Sequence, residues 1–368
     1  MESKYPYAML MPEDSLPAPK KQFVAQKKAE IDAFINENFL PEDNLAFLVA
    51  KNGHIIYERY QGLWDREKQI PISETTPIHI ASVTKVFTAS IILKLIEAKK
   101  ITLDQKVTTL LDSFPYSEVT IRSLLNHRSG LKKYNYFCDD AHIWGRNKSL
   151  TNDKLYEVLV TKHIPQETKT GTHFSYNNTN YALLALIIEK VTGMKYAKAV
   201  EELIFKPLEM KDSYVADENT PTDKFAPTYR ANYSKFPIDF LDFVYGDKNI
   251  YSTPRDLLKF DIARNGKEFL SPQLLKEVYK GYSYENKGVK NYGLGIRLRE
   301  WETGEKIFYH NGWWHGNTAV YVPMKNDNTT IIALSNRFNR KVFQTKRLIT
   351  LFGKYPISLK DSVMVKEE

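Results

Sequence analysis

From Ser82 to Lys99 the chain reads as a helix with apolar residues on most of its faces. Val83, Val86, Phe87, Ile91, Ile92, Leu95 and Ile96 leave no broad polar stripe, and charge gathers near the end. A helix of this pattern has to be enclosed by protein, so it runs through the middle of whatever this chain folds into. With 368 residues, 42% hydrophobic and 26% charged, the chain has enough apolar material to enclose it, as one large domain with an insertion or as two domains.

The enclosing layers are legible on both sides of that helix. Val24, Ile31, Phe34 and Ile35 recur at helical spacing before Pro41, which predicts an amphipathic helix over Val24 to Phe39. Leu45 to Ala50 and His54 to Tyr60 are strand-like runs separated by Lys51-Asn52-Gly53, and Asn-Gly tolerates the positive φ angles of a tight hairpin. Strand-like runs return at Gly295 to Trp301, Lys306 to His310, Thr318 to Val322 and Thr330 to Leu334, and a last helix is expected over Lys341 to Phe352. Between them, 103–245 alternates helical segments, notably Ile121 to Leu125, Leu155 to Lys162 and Tyr181 to Val191, with loops rich in Asn, Gly and Thr. The expected fold class is α+β: an antiparallel sheet assembled from both ends of the chain and flanked by helices, plus an inserted, mostly helical domain. The boundaries read as an extended segment at 1–22, a sheet domain at 23–102 and 246–354, the helical domain at 103–245, and a tail at 355–368. A cleft between the two parts is the expected place for a site.

Several classes of function drop out. One cysteine, Cys138, excludes an intrachain disulfide framework and any multi-cysteine metal site. The eight histidines include no His-Glu-x-x-His arrangement, so neither metal nor organic cofactor is expected. The formal charge of +8 comes from Lys and Arg scattered along the chain, which argues against nucleic acid and suits a small-molecule or peptide substrate bearing a carboxylate. No run reaches membrane-spanning length. Met1 to Lys21 lacks the apolar core of a secretory signal, as would a chain starting after a removed leader.

Three motifs carry chemistry. Ser82-Val83-Thr84-Lys85 puts a hydroxyl and an amine on one face of the buried helix, where a desolvated lysine serves as base for a serine nucleophile. A second Ser-x-x-Lys, Ser129-Gly130-Leu131-Lys132, lies in a glycine turn and lacks that geometry. Tyr176-Asn177-Asn178 precedes another apolar helix; Tyr176 beside a protonated lysine would have its phenolate stabilised, and Asn178 has an amide to donate to a substrate carbonyl while accepting from Lys85. His310-Asn311-Gly312 ends a strand. There His310 is a candidate for proton transfer or carboxylate binding, Gly312 for letting substrate lie close to the strand, and the Trp313 N–H, with that of Ser82, for an oxyanion hole. Tyr134, Tyr136, Phe137, Trp144, Trp313 and Trp314 are candidates to line a cleft for an apolar acyl group.

Taken in order, Ser82-x-x-Lys85, Tyr176-x-Asn178 and His310-x-Gly312 resemble the class C β-lactamase and DD-peptidase group of penicillin-recognising serine hydrolases, which also holds esterases and D-aminopeptidases. Flanking text at Thr120 to Leu131, Ile204 to Met210 and Tyr251 to Leu257 extends the resemblance over roughly 30–352. It implies the β-lactamase/transpeptidase-like fold and an acyl-enzyme on Ser82, with Lys85 and Tyr176 sharing the proton and Asn178 orienting substrate. His310 stands where β-lactamases usually carry lysine, which brings the pattern nearer to the peptidases and esterases. Gly246 to Ile250 departs from the glycine-rich turn that relatives often have. A bacterial, extracytoplasmic location goes with the resemblance. The function expected is hydrolysis of an ester or a D-amino-acid-type peptide bond; β-lactamase activity, or a non-catalytic binder of penicillin or cell-wall fragments, are the alternatives.

Overall fold

The structure, a computed structural model, describes residues 4–221, 224–286 and 288–360. The end of the expected C-terminal tail, 361–368, and the first three residues of the expected N-terminal segment lie outside it.

The first hairpin forms where Asn-Gly predicts it: β1 (Leu45–Lys51) and β2 (His54–Gln61) are joined through Asn52 and Gly53 at φ 56° and 78°. After it come three short strands, β3 (Leu63–Asp65), β4 (Ile70–Pro71) and β5 (Ile78–His79), then β6 (Tyr214–Val215) and β7 (Ile250–Ser252). The chain closes with β8 (Lys290–Tyr292), β9 (Arg297–Glu300), β10 (Lys306–Trp314), β11 (Asn317–Met324) and β12 (Thr329–Ser335). The main sheet has seven antiparallel strands in the order β2-β1-β12-β11-β10-β9-β8, so β1 pairs with the last strand, Ala46 opposite Leu334. β5, β7 and β6 form a separate small sheet.

Both faces of this sheet are covered, which is why β1, β11 and β12 are almost wholly buried. Leu45, Phe47 and Val49 point to the outer face and meet Ile31, Phe34 and Ile35 of α1 (Lys21–Asn38). Each of these side chains, fully buried, contributes about 1.5–3 kcal/mol. The outer face also packs against the closing helix, Arg340–Leu351, which is wound as a 3-10 helix. Its Thr345 and Thr350 hydroxyls donate to carbonyls three residues back, in keeping with the tighter winding.

On the inner face Ala46, Leu48 and Ala50 share one core with α2 (Thr84–Glu97), in which every residue from Thr84 to Leu95 is buried. α6 (Asn178–Thr192) packs along α2, with α3 (Ile121–Leu125), α4 (Tyr134–Phe137) and α5 (Asn152–Thr161) against α6, and α7 (Tyr196–Val200), which runs into a π turn at Glu201–Phe205, meets both. α6 is bounded by its sequence: the Asn177 side chain accepts from the Thr179 N–H, and Gly193 at φ 70° ends the helix. α8 (Pro254–Asn265), capped by Thr253, and α9 (Pro272–Val278) lead back to the sheet, and Phe260 of α8 stacks on Phe87 at 3.8 Å. Among the described residues no helix is long and apolar enough to cross a membrane.

Candidate active site

The turn before α2 is held from two sides. Ala81 sits at φ 47°, a left-handed conformation that costs an ordinary residue about 1–2 kcal/mol. Its N–H donates to Nδ1 of buried His79 at 3.1 Å, and the other ring nitrogen, carrying the proton, lies 3.2 Å from Asn249 Oδ1. Burial pushes His79 down to about 4, so it stays neutral. From the other side comes β10. A Cβ at Gly312 would lie 2.4 Å from the Ile80 carbonyl oxygen and 3.1 Å from the Ala81 Cβ. The glycine therefore serves approach of the strand to the serine-bearing turn, where the sequence suggested approach of substrate to the strand. Ser82 follows, half-buried, and one helical turn on Lys85 donates to Ser82 Oγ at 3.0 Å.

Lys85 is fully buried, and its second bond runs to the Asp247 carbonyl at 2.9 Å. No hydrogen bond joins Asn178 to Lys85: Asn178 Oδ1 is buried without a hydrogen-bond partner, and the amine donates to Ser82 Oγ and the Asp247 carbonyl. The Tyr176 ring lies 5.0 Å from Lys85 Nζ, and its hydroxyl too is buried and unpartnered. Buried polar groups normally have partners, which makes these two atoms stand out.

His310 is held from two sides. It is fully buried, Nδ1 lies 2.7 Å from the Asn311 carbonyl and Nε2 lies 3.0 Å from the Tyr292 hydroxyl. Burial, reinforced by Arg297 and Lys85, holds it well below the usual histidine range. With both nitrogens engaged the ring braces β10, and its burial disfavours the charged form. Trp313 is 52% exposed, with its ring beside Phe338 and Nε1 donating to the His315 carbonyl. β9 pairs with β10 only as far as Tyr309, so Asn311 to Trp314 continue without a partner strand on that edge.

The other Ser-x-x-Lys is a brace. Buried Ser129 donates to Asn180 Oδ1 at 2.6 Å, and the Lys132 carbonyl accepts from Thr179. Residues the sequence did not single out complete the surroundings. His127 Nδ1 accepts from the Asn177 N–H, while buried Nε2 has no hydrogen-bond partner and the ring lies 4.5 Å from that of Tyr176. Burial and the Lys85 charge keep His127 neutral. Such roles depend on contacts between distant segments, for which sequence spacing holds no signal.

Behind the His79 and Asn249 side of the turn lies a cavity of about 390 Å³ walled by Phe225, Phe236, Tyr251 and Trp314, with Asp242 and His315 at one side. Asp242 Oδ1 accepts from Trp314 Nε1 at 2.7 Å and lies 2.9 Å from His315 Nε2. Of the aromatic residues proposed for a cleft, only Trp314 lines this one; Trp144 lies elsewhere and Tyr136 is exposed. Among the described residues no group of three or more His, Cys, Asp or Glu is placed to hold a metal ion.

The family model described as Beta-lactamase matches residues 41–353. Penicillin-binding protein 4* of Bacillus subtilis (strain 168) is 29% identical over 315 residues, covering 80% of this chain and 68% of that protein. The teichoic acid D-alanine hydrolase of Staphylococcus aureus (strain MRSA252) is 27% identical over 252 residues, 67% of this chain and 60% of that one. In structure, a penicillin binding protein from Bacillus halodurans superposes with a TM-score of 0.75 at 23% identity, over 88% of this chain and 99% of the other.

Proposed function

The chain belongs to the beta-lactamase family, and on that premise we propose that it is a serine hydrolase that forms an acyl-enzyme on Ser82 from esters or amides of D-amino-acid type. The observation that carries this reading is the 3.0 Å contact between Ser82 Oγ and a fully buried lysine amine, with the unpartnered Tyr176 hydroxyl beside it. In this scheme Lys85 takes the Ser82 proton as Oγ attacks the substrate carbonyl, and Tyr176 passes a proton to the leaving group. The Ser82 and Trp313 N–H groups receive the oxyanion, the Asn178 amide donates to a second substrate carbonyl, and water then releases the acyl group.

Two observations narrow the substrate. His310 offers no positive charge, which favours esters and amides over β-lactams and others that rely on a carboxylate. The aromatic-walled cavity next to the serine-bearing turn suits an apolar acyl side chain. A relative named for hydrolysing teichoic acid D-alanine supports the D-aminoacyl class, and such a substrate implies an extracytoplasmic location. The test is intact-protein mass spectrometry after a fluorophosphonate, a penicillin or p-nitrophenyl acetate, with Ser82→Ala as control, followed by turnover of D- against L-alanine esters. A single adduct on Ser82, absent from the variant, with preference for the D ester, is expected. Folded protein that takes up none of the three reagents is a binder and not a hydrolase.

A further inference from the structure

Lys85 does not contact the carboxylate of Asp247, only its carbonyl. The carboxylate turns the other way, into a wholly buried group: Asp247 Oδ2 accepts from the Tyr134 hydroxyl at 2.8 Å and lies 3.6 Å from Lys248 Nζ. Lys248 in turn donates to the Tyr134 oxygen and to the Val244 carbonyl, both at 2.9 Å. Asp247 Oδ1 has no hydrogen-bond partner. The segment cannot slide, because Gly246, at φ 93°, is wedged where a Cβ would lie 2.6 Å from the Tyr181 carbonyl oxygen, and its own carbonyl accepts from Thr88 of α2.

We propose that the buried Lys248, Asp247 and Tyr134 are positioning residues for Lys85, fixing the carbonyl that holds its amine and setting the charge against which it gains and loses a proton. The inference rests on the acyl-enzyme reading above. Lys85 and Lys248 share this interior with the Asp247 carboxylate, and Asp242 stands beyond it beside Trp314, so a proton taken up by Lys85 from Ser82 Oγ is set against the Lys248–Asp247 pair. Burial lowers Lys248 while Asp247 and Asp242 hold it up, and burial together with Asp247 keeps Tyr134 protonated. The other groups facing Lys85 are Ser82 on its own turn, Tyr176 and Tyr181 through their rings, and neutral His127 and His310, with Arg297 of β9 behind Tyr176. None of these is an anion; the negative charge nearest in the chain to the carbonyl that holds Lys85 is the Asp247 carboxylate, with Lys248 Nζ 3.6 Å from it.

The prediction concerns the acid limb of the pH profile for Ser82 labelling by a fluorophosphonate, read by intact mass between pH 5 and 10. Lys248→Met leaves Asp247 uncompensated and moves the limb up by about one pH unit. Asp247→Asn moves it down by a similar amount, and the double variant returns it close to the starting position. A purely structural role would lower the rate at every pH and leave the limb in place, and that result overturns the proposal. If Lys248→Met does not fold, the near-isosteric Asp247→Asn decides alone: a downward shift supports the proposal, an unmoved or raised limb sinks it. Wild-type protein that is never labelled rejects the acyl-enzyme reading itself, and this inference with it.

Discussion

Replacing Gly312 with alanine should disable the site from a position that the substrate need not touch. The new Cβ would lie 2.4 Å from the Ile80 carbonyl oxygen, 3.1 Å from the Ala81 Cβ and 3.2 Å from the Ala319 Cβ. Ordinary contact begins at 3.4 Å, so the first pair must open by about 1 Å. β10 is pinned on its other side, Gly312 opposite Ala319 in the β10–β11 ladder, so the yielding partner is the serine-bearing turn. That turn already holds Ala81 in a left-handed conformation. Overpacking of this kind costs about 1–3 kcal/mol of stability. A displacement of about 1 Å at a reacting group slows reaction by about 100-fold, equivalent to about 2.7 kcal/mol of barrier. Urea unfolding monitored by tryptophan fluorescence, together with the rate of fluorophosphonate labelling, measures both. A Gly312→Ala protein that unfolds at the wild-type urea concentration and labels within about threefold of the wild-type rate would refute the packing argument.

Tyr176→Phe removes an unpartnered hydroxyl and leaves the ring, so folding stability should change little while kcat for p-nitrophenyl acetate falls by about 100-fold or more; equal loss of both would point to a packing role. His79 is held at about 4 by burial, against 6.5 for the free side chain, and the unfolded chain therefore binds the extra proton between those values. Its contribution is fully present above about pH 6.5 and is lost as pH falls toward 4, about 3 kcal/mol in all. The unfolding free energy of His79→Gln should consequently fall less steeply than that of wild type over this window, and parallel curves would contradict the assignment. Phe236→Ala enlarges the aromatic-walled cavity, and the ratio of kcat/KM for p-nitrophenyl phenylacetate to that for the acetate should drop about 10-fold or more; an unchanged ratio would remove the cavity from the acyl site.

The sequence was most informative where a single segment carries its own instructions. The Asn52-Gly53 hairpin, the buried α2 helix with Lys85 one turn after Ser82, and the strands at both chain ends follow from local turn chemistry and hydrophobic period. What stayed hidden depends on which segments meet. His310 reads as a residue for proton transfer or carboxylate binding, and nothing in the sequence announces that Tyr292, 18 residues earlier, meets its Nε2. Asn178 reads as a partner to Lys85, and nothing local announces the carbonyl of Asp247, 162 residues away, that accepts from the lysine. His79 gave no signal because its value lies in one backbone N–H two residues on.

The pairing of β1 with β12 carries a consequence for the order of events during synthesis. Leu45 to Lys51 leave the ribosome long before Thr329 to Ser335 exist, and β10, which presses Gly312 against the serine-bearing turn, also arrives late. Contacts so distant in sequence form slowly, because the intervening chain must be ordered first. A partly made chain already contains Ser82 and Lys85 but lacks the strand that presses on the serine-bearing turn. On the proposed mechanism, a nascent chain that still lacks β10 should therefore carry Ser82 unreactive toward a fluorophosphonate.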